Sequence, residues 1–188
     1  MRAMLVDEGQ KLVWSEVPEA EPKKGEVLIE VRAAALNRAD LMQRAGQFPS
    51  PAGWPPWMGL EVAGVVREAP AGSRFRPGAA VCALLGGGGY AERVAVPAEL
   101  VLPVPKGLTL VEAAAIPEAF ATAWLNLCME AGMKAGDLVL IQAGASGLGM
   151  AAIQLAKALG ARVLTTVGSE AKAAFVRGLG ADHVVKHR

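Results

Sequence analysis

The sequence predicts an α/β protein in which a β-rich N-terminal portion precedes the first half of a doubly wound parallel sheet. Three observations carry that expectation. Short apolar runs cut by Gly and Pro fill the first hundred residues. The hydrophobic period changes at Thr109. From Leu138 onward, strand-like and helix-like stretches alternate, as parallel-sheet units require.

In order, Leu12-Val13-Trp14 is strand-like, and Pro18, Pro22 and Lys23-Lys24-Gly25 turn the chain. Val27, Leu28, Ile29 and Val31 make residues 26–36 a strand. Residues 37–45 read as a short helix, opened by Asn37 as N-cap and stopped by Gly46. Five Pro and Gly residues keep 48–56 a loop. Strands are expected over 60–67, 79–85, 90–96 and 101–104. The run Gly86 to Gly89 reads as a mobile hairpin tip rather than a phosphate loop, because no helix start follows it. Thr109 and Glu112 form a capping box for a helical stretch to Met129, bent or interrupted at Pro117. Residues 138–143 are a continuous apolar run, as a strand buried on both faces requires. A helix over 148–159, a strand over 162–167, a helix over 170–179 and a short strand at 183–185 follow. The expected domains are 1–118 and 119–188.

With 188 residues, 53% hydrophobic and 20% charged, the chain is neither disordered nor fibrous. A formal charge of +1 leaves no basic excess for phosphate backbones or anionic membrane, so no nucleic-acid or membrane partner is expected. Cys82 and Cys128 lack metal-ligand spacing and read as reduced, buried thiols of a cytoplasmic protein. The apolar stretch 113–129 is broken by Pro117, Glu118 and Asn126, too short and polar to span a bilayer.

Chemistry concentrates at Gly144-Ala145-Ser146-Gly147-Leu148-Gly149, between a strand and a helix. The dinucleotide fingerprint is Gly-x-Gly-x-x-Gly in that context. Gly144 suits the tight turn, Gly149 close helix packing, and the helix N-terminus offers N–H groups to a pyrophosphate. Ser146 stands where the middle glycine is usual, and either caps the helix or hydrogen-bonds phosphate. The second strand ends Thr165-Thr166-Val167-Gly168-Ser169 with no acid at its tip. Ser169 and Lys172 suit a ribose 2′-phosphate better than a bare diol, which favours NADPH. Glu170 opposes this if it turns inward.

Several segments carry a family resemblance: Asn37-Arg38-Ala39-Asp40-Leu41, Gln47-Phe48-Pro49, Gly59-Leu60-Glu61, and the stretches 113–119, 139–147 and 151–157. On these the chain resembles the zinc-free quinone oxidoreductases of the medium-chain dehydrogenase/reductase superfamily, above all the tumour-suppressor-inducible quinone oxidoreductase group. The resemblance implies a GroES-like first domain, a bridging helix and a Rossmann domain. It implies hydride transfer from NADPH to a small quinone or α,β-unsaturated carbonyl, in a homodimer at full length. Zinc-dependent relatives place ligands at positions matching Asn37, Leu60 and Glu118, and Leu60 cannot ligate metal. No metal is therefore expected. Asn37, Phe48 and Thr122 match positions near nicotinamide and substrate. Asn37 either holds a ribose hydroxyl or carboxamide or caps its helix. Phe48 either stacks on a flat ring or simply packs. Candidate cofactor contacts are Asn37, Glu118, Thr122, Ala145, Ser146, Gly147, Leu148, Gly168, Ser169, Lys172 and His187. Phe48 departs from the family's common tyrosine, and related enoyl-thioester reductases use a tyrosine nearby as proton donor. The one tyrosine here is Tyr90.

The family's nucleotide domain has six strands, and this sequence supplies three, so a fragment is expected. Two further readings stand beside the reductase: a non-catalytic, crystallin-like nucleotide binder, and an enoyl-thioester reductase.

Overall fold

The computed structural model describes residues 1–187 and divides into two compact units, Met1–Glu118 and a second beginning at Ala119.

The first unit is antiparallel throughout. Its main sheet has five strands in the order β6-β3-β4-β5-β7. These are β3 (Glu26–Ala34), β4 (Glu61–Glu68), β5 (Ala80–Leu84), β6 (Arg93–Pro97) and β7 (Val101–Pro103). Alternation builds the core. Val27 and Ile29, Val62 and Val66, Val81 and Ala83, and Val94 and Val96 turn to one face and are almost fully buried. Each of the valines and Ile29 is worth about 1.5–3 kcal/mol against exposure, and Ala83 less. On the opposite face Ala63 and Cys82 meet Ala113 and Ala114. Those small residues let helix α2 (Leu110–Ala113) lie close to the sheet. Its capping box forms as expected: Thr109 Oγ1 accepts from Glu112 N–H, and Glu112 accepts from Thr109 N–H at 2.8 Å.

Sequence reasoning missed one strand. β1 (Arg2–Val6) pairs antiparallel with β2 (Leu12–Glu16). β1 is also tied to the main body by Met4 N–H donating to Tyr90 O at 2.8 Å. Strand β6 starts three residues later than the expected 90. Helix α1 (Arg38–Arg44) forms with Asn37 as N-cap and Gly46 at a φ of 71°.

The glycine run 86–89 is corrected: it is not a mobile hairpin tip. Gly87, Gly88 and Gly89 are buried. A Cβ on Gly87 would meet Ser50 Oγ at 2.1 Å, one on Gly88 would meet Pro55 at 2.8 Å, and one on Gly89 would meet Gly59 at 3.1 Å. The run is glycine-rich because the 50–59 loop lies directly on it.

The helical stretch after Thr109 is interrupted as expected. Helix α2 ends at Ala113, and α3 (Pro117–Trp124) restarts with a proline at its first position, where a missing N–H costs nothing. A π-helical turn follows, Leu125–Glu130.

The second unit holds β8 (Leu138–Ile141), α4 (Gly147–Ala158), β9 (Arg162–Val167), α5 (Glu170–Gly178) and β10 (His183–Lys186). Its three strands are parallel, in the order β10-β9-β8. Ile153 and Ala156 of α4 and Ala173 and Val176 of α5 pack with Ile141, Val163 and Val167. Both helices thus cover the same face. The expectation that β8 is buried on both faces is corrected, since Leu138 and Leu140 are 56% and 58% exposed. Cys82 is buried and Cys128 half-buried, and both are free thiols. No helix among the described residues is long and apolar enough to cross a membrane.

Candidate functional site

In the second unit the turn between β8 and α4 is shaped by two threonines of β9. Thr165 Oγ1 donates to Ile141 O at 2.6 Å, and Ala143 N–H donates to Thr166 Oγ1 at 3.1 Å. Gly144 N–H donates to Thr166 O at 3.0 Å. The left-handed residue of the turn is Ala143, at a φ of 52°, rather than Gly144. Gly144 is needed for a different reason: a Cβ there would sit 2.1 Å from Thr165 Oγ1. Gly149 meets the expectation of close packing, because a Cβ on it would lie 2.5 Å from Ala143 O. Ser146 is the N-cap of α4, its Oγ accepting from Gly149 N–H at 3.1 Å. A serine here therefore secures the helix start. The N–H groups of Gly147 and Leu148, at the first two positions, precede the helical ladder and offer two donors to an anion.

Beside this helix start lies a cavity of about 230 Å³. Ala143, Ala145, Ser146, Val167, Gly168, Lys172 and His187 line it. Ser169 caps α5, accepting from Lys172 N–H at 3.3 Å. Among the described residues no carboxylate pairs with the Lys172 ammonium. Glu170 turns to Arg177 and Lys186, at 3.8 and 3.7 Å, so its charge is directed at cations. His187 N–H donates to Val167 O at 3.0 Å, which ties the residue to β9. Donors, one cation and glycine-tight walls make a cradle suited to a phosphate-bearing ligand.

The first unit carries a separate polar cluster around Asn37. Asp40, the third residue of α1, is 4% exposed. Its Oδ2 accepts from Asn37 N–H at 2.5 Å and from Tyr90 Oη–H at 2.7 Å, while its Oδ1 is buried with no partner. Glu61, the first residue of β4, is 2% exposed. Its Oε1 accepts from Asn37 Nδ2 at 2.8 Å and its Oε2 from the N–H of Glu118 at 2.9 Å. Burial pushes the Glu61 carboxyl above its ordinary value, against the two hydrogen bonds, which favour the charged form. Burial and then the charges of Glu61 and Asp40 push Glu118 the same way. Burial, with Asp40 next, raises the Tyr90 phenol well above its usual range.

The sequence-derived residues separate as follows. Asn37 and Glu118 are brought together by Glu61. Phe48 is 43% exposed and lines a different concavity of about 370 Å³, with Arg44, Trp57 and Met58. Thr122 is half-buried in α3, its carbonyl accepting from Asn126 Nδ2 at 2.8 Å. Ala145, Ser146, Gly168, Lys172 and His187 share the 230 Å³ cavity, with Gly147, Leu148 and Ser169 at its two helix starts. Asp40 and Tyr90 were missed as site residues. Their available signal was an acid three residues after a helix-capping Asn, and a lone tyrosine behind a glycine run. Among the described residues no three His, Cys, Asp or Glu side chains are grouped to hold a metal ion.

Two family descriptions match these units: the alcohol dehydrogenase GroES-like domain over residues 23–106, and the zinc-binding dehydrogenase over 147–188. The chain belongs to the medium-chain dehydrogenase/reductase superfamily. Within it, a quinone oxidoreductase of Thermus thermophilus, solved also with NADPH, is 40% identical with a TM-score of 0.83. That match covers 99% of this chain and 60% of that one. The CurK enoyl reductase has a TM-score of 0.89 at 30% identity, covering 100% of this chain and 60% of its own. A mycocerosic acid synthase-like polyketide synthase of Mycobacterium tuberculosis is 36% identical over 180 residues, which are 95% of this chain and 8% of that protein. The chain thus spans 60% of these two solved superfamily members and a small part of the curated relative.

Proposed function

We propose that the chain forms part of an NADPH-dependent, zinc-independent reductase acting on a quinone or an α,β-unsaturated carbonyl. The carrying observation is the α4 start, with its capped, glycine-tight turn and Lys172 lining the cavity of about 230 Å³ beside it. The NADPH complex of the Thermus thermophilus relative supports the choice of cofactor.

In this reading residues 1–118 form the substrate domain and 119–188 part of the nucleotide domain. When bound, the cofactor supplies a hydride. Gly147 and Leu148 N–H groups bind the pyrophosphate with Ala145 and Ser146 at the turn. Gly168 leaves room for the adenosine ribose, and Ser169, Lys172 and His187 hold its 2′-phosphate by hydrogen bonding and charge. Asn37, Thr122 and Glu118 contact the nicotinamide side, and Phe48 packs on the substrate ring. Leu60 stands where zinc-dependent relatives need a ligand, so the acceptor has to be electron-poor already. The Tyr90 hydroxyl donates to Asp40 Oδ2 at 2.7 Å, with Ala35 O a second acceptor at 3.2 Å, and its pKa is raised, so in this reading it is a poor acid and the proton is assigned to solvent or another weak donor. A homodimer in the cytoplasm, with no nucleic-acid or membrane partner, completes the proposal.

A second reading, an enoyl-thioester reductase, is favoured by the likeness to the CurK enoyl reductase and to polyketide synthases. One assay on the complete polypeptide separates the two: NADPH oxidation with benzoquinone and, separately, with crotonyl-coenzyme A. Turnover of the quinone alone supports the first reading and turnover of the thioester alone the second. NADPH binding with neither turnover would overturn both and leave the crystallin-like binder.

A further inference from the structure

The cavity of about 370 Å³ in the first unit has a fixed apolar wall. The proline-rich loop supplies Phe48, Pro49, Pro56, Trp57 and Met58, and β1 adds Leu5. Three backbone hydrogen bonds lace this loop to the glycine run. Gly88 N–H donates to Trp57 O at 2.8 Å, Tyr90 N–H to Met58 O at 3.0 Å and Gly89 N–H to Gly59 O at 3.0 Å. The Trp57 indole N–H donates back to Gly88 O at 3.2 Å, which pins the ring as well. A wall held in this way is formed before a ligand arrives, which spares the ordering cost of binding.

The polar lining has one character. Gln43 and Arg44, the last two residues of α1, both line the cavity. Gly59 N–H donates to Gln43 Oε1 at 3.1 Å. A backbone N–H can only donate, so the group left over on Gln43 is its NH₂, a donor. The Arg44 guanidinium carries five donors and no acceptor. Among the described residues no carboxylate lines the cavity or pairs with Arg44.

We propose that this cavity binds an amphipathic carboxylate, its flat apolar body against Phe48 and Trp57 and its carboxylate held by Arg44 and the Gln43 NH₂. The inference goes beyond the proposed function. It rests on the cavity, its charge and its pinned wall, and holds whether or not the chain reduces a quinone.

The probe is 2-naphthoate, with 2-naphthamide as its neutral isostere, each titrated into the complete polypeptide. The Trp57 indole N–H resonance reports whether the probe sits in this cavity. Naphthoate is expected to bind saturably, move that resonance and bind about tenfold tighter than naphthamide, as one charge-assisted hydrogen bond allows. Arg44→Met keeps an apolar stem and removes the charge, and should bring naphthoate to within about twofold of naphthamide. Phe48→Ala should weaken both probes alike, by about threefold to tenfold. Equal affinity of wild type for the two probes would overturn the proposal, and that comparison needs no variant. An unmoved Trp57 resonance, or full naphthoate affinity in Arg44→Met, would overturn it too. Binding is read here without turnover, so failure of this test and failure of the reductase reading are separate results.

Discussion

Gly149→Ala should separate stability from cofactor binding. The added Cβ would lie 2.5 Å from Ala143 O, 2.7 Å from Gly144 Cα and 2.8 Å from Gly144 C, all backbone atoms. Ordinary van der Waals contact begins near 3.4 Å, so the start of α4 must retreat by the difference between 3.4 and 2.5 Å, about 0.9 Å. Overpacking of this kind costs about 1–3 kcal/mol. Replacing a helical glycine by alanine returns about 1 kcal/mol. The net loss is about 1 kcal/mol, or a Tm lower by about 2–4 °C for a protein of this size. Nothing offsets the loss in binding. A phosphate hydrogen bond of about 2.9 Å, stretched by the same retreat, passes beyond bonding distance. One charge-assisted bond is worth about 1.5–3 kcal/mol, so the Kd for NADPH should rise roughly 10- to 100-fold. Thermal unfolding and fluorescence titration with NADPH measure the two effects. An affinity within twofold of wild type, with Tm lowered, would refute the placement of the pyrophosphate at this helix start.

Lys172→Ala should weaken NADPH about tenfold while leaving NADH within twofold, as read from the ratio of the two Kd values. Equal losses for both would remove the 2′-phosphate assignment. Gly59→Ala should be the more severe glycine substitution, costing roughly 3 kcal/mol or more, because it joins a φ of 105° to a Cβ 2.5 Å from Tyr90 N. Urea unfolding would show it, and a midpoint near wild type would contradict the packing of the 86–90 segment. Asp182 is held below the usual carboxylate range, first by its hydrogen bonds from Lys157 and then by that from Val163 N–H. A depressed folded-state pKa gives stability that is present above the unfolded value, about 3.9, and is lost as pH falls through the folded one. Wild type should therefore exceed Asp182→Asn in stability at pH 7, with the gap closing as acidification protonates Asp182 in the unfolded and then the folded state. A gap constant with pH would show that the ion pair contributes nothing.

Local rules made most elements legible. Thr109 and Glu112 form their capping box, Arg162 to Val167 is the strand its β-branched residues suggest, and Ser146 caps the helix it precedes. For the two caps the deciding interaction lies within four residues, where spacing alone places the atoms. Strand β1 was not legible, because its pairing with β2 and its tie to Tyr90 are non-local and its own sequence lacks clear alternation.

By itself the sequence determined the order of elements from β2 onward, the glycine-rich turn ahead of α4 and the absence of an acid at the end of β9. These depend on residue type and short spacing. Only the tertiary structure decided what surrounds them. It showed that Gly86 to Gly89 is compressed under a proline-rich loop, and that Leu138 and Leu140 stand exposed although their strand reads as apolar throughout. It also joined Asn37, Glu61 and Glu118 in one hydrogen-bonded cluster, across separations of 24 and 57 residues. Burial and long-range hydrogen bonding depend on which distant segments the fold superimposes, and no local pattern carries that information.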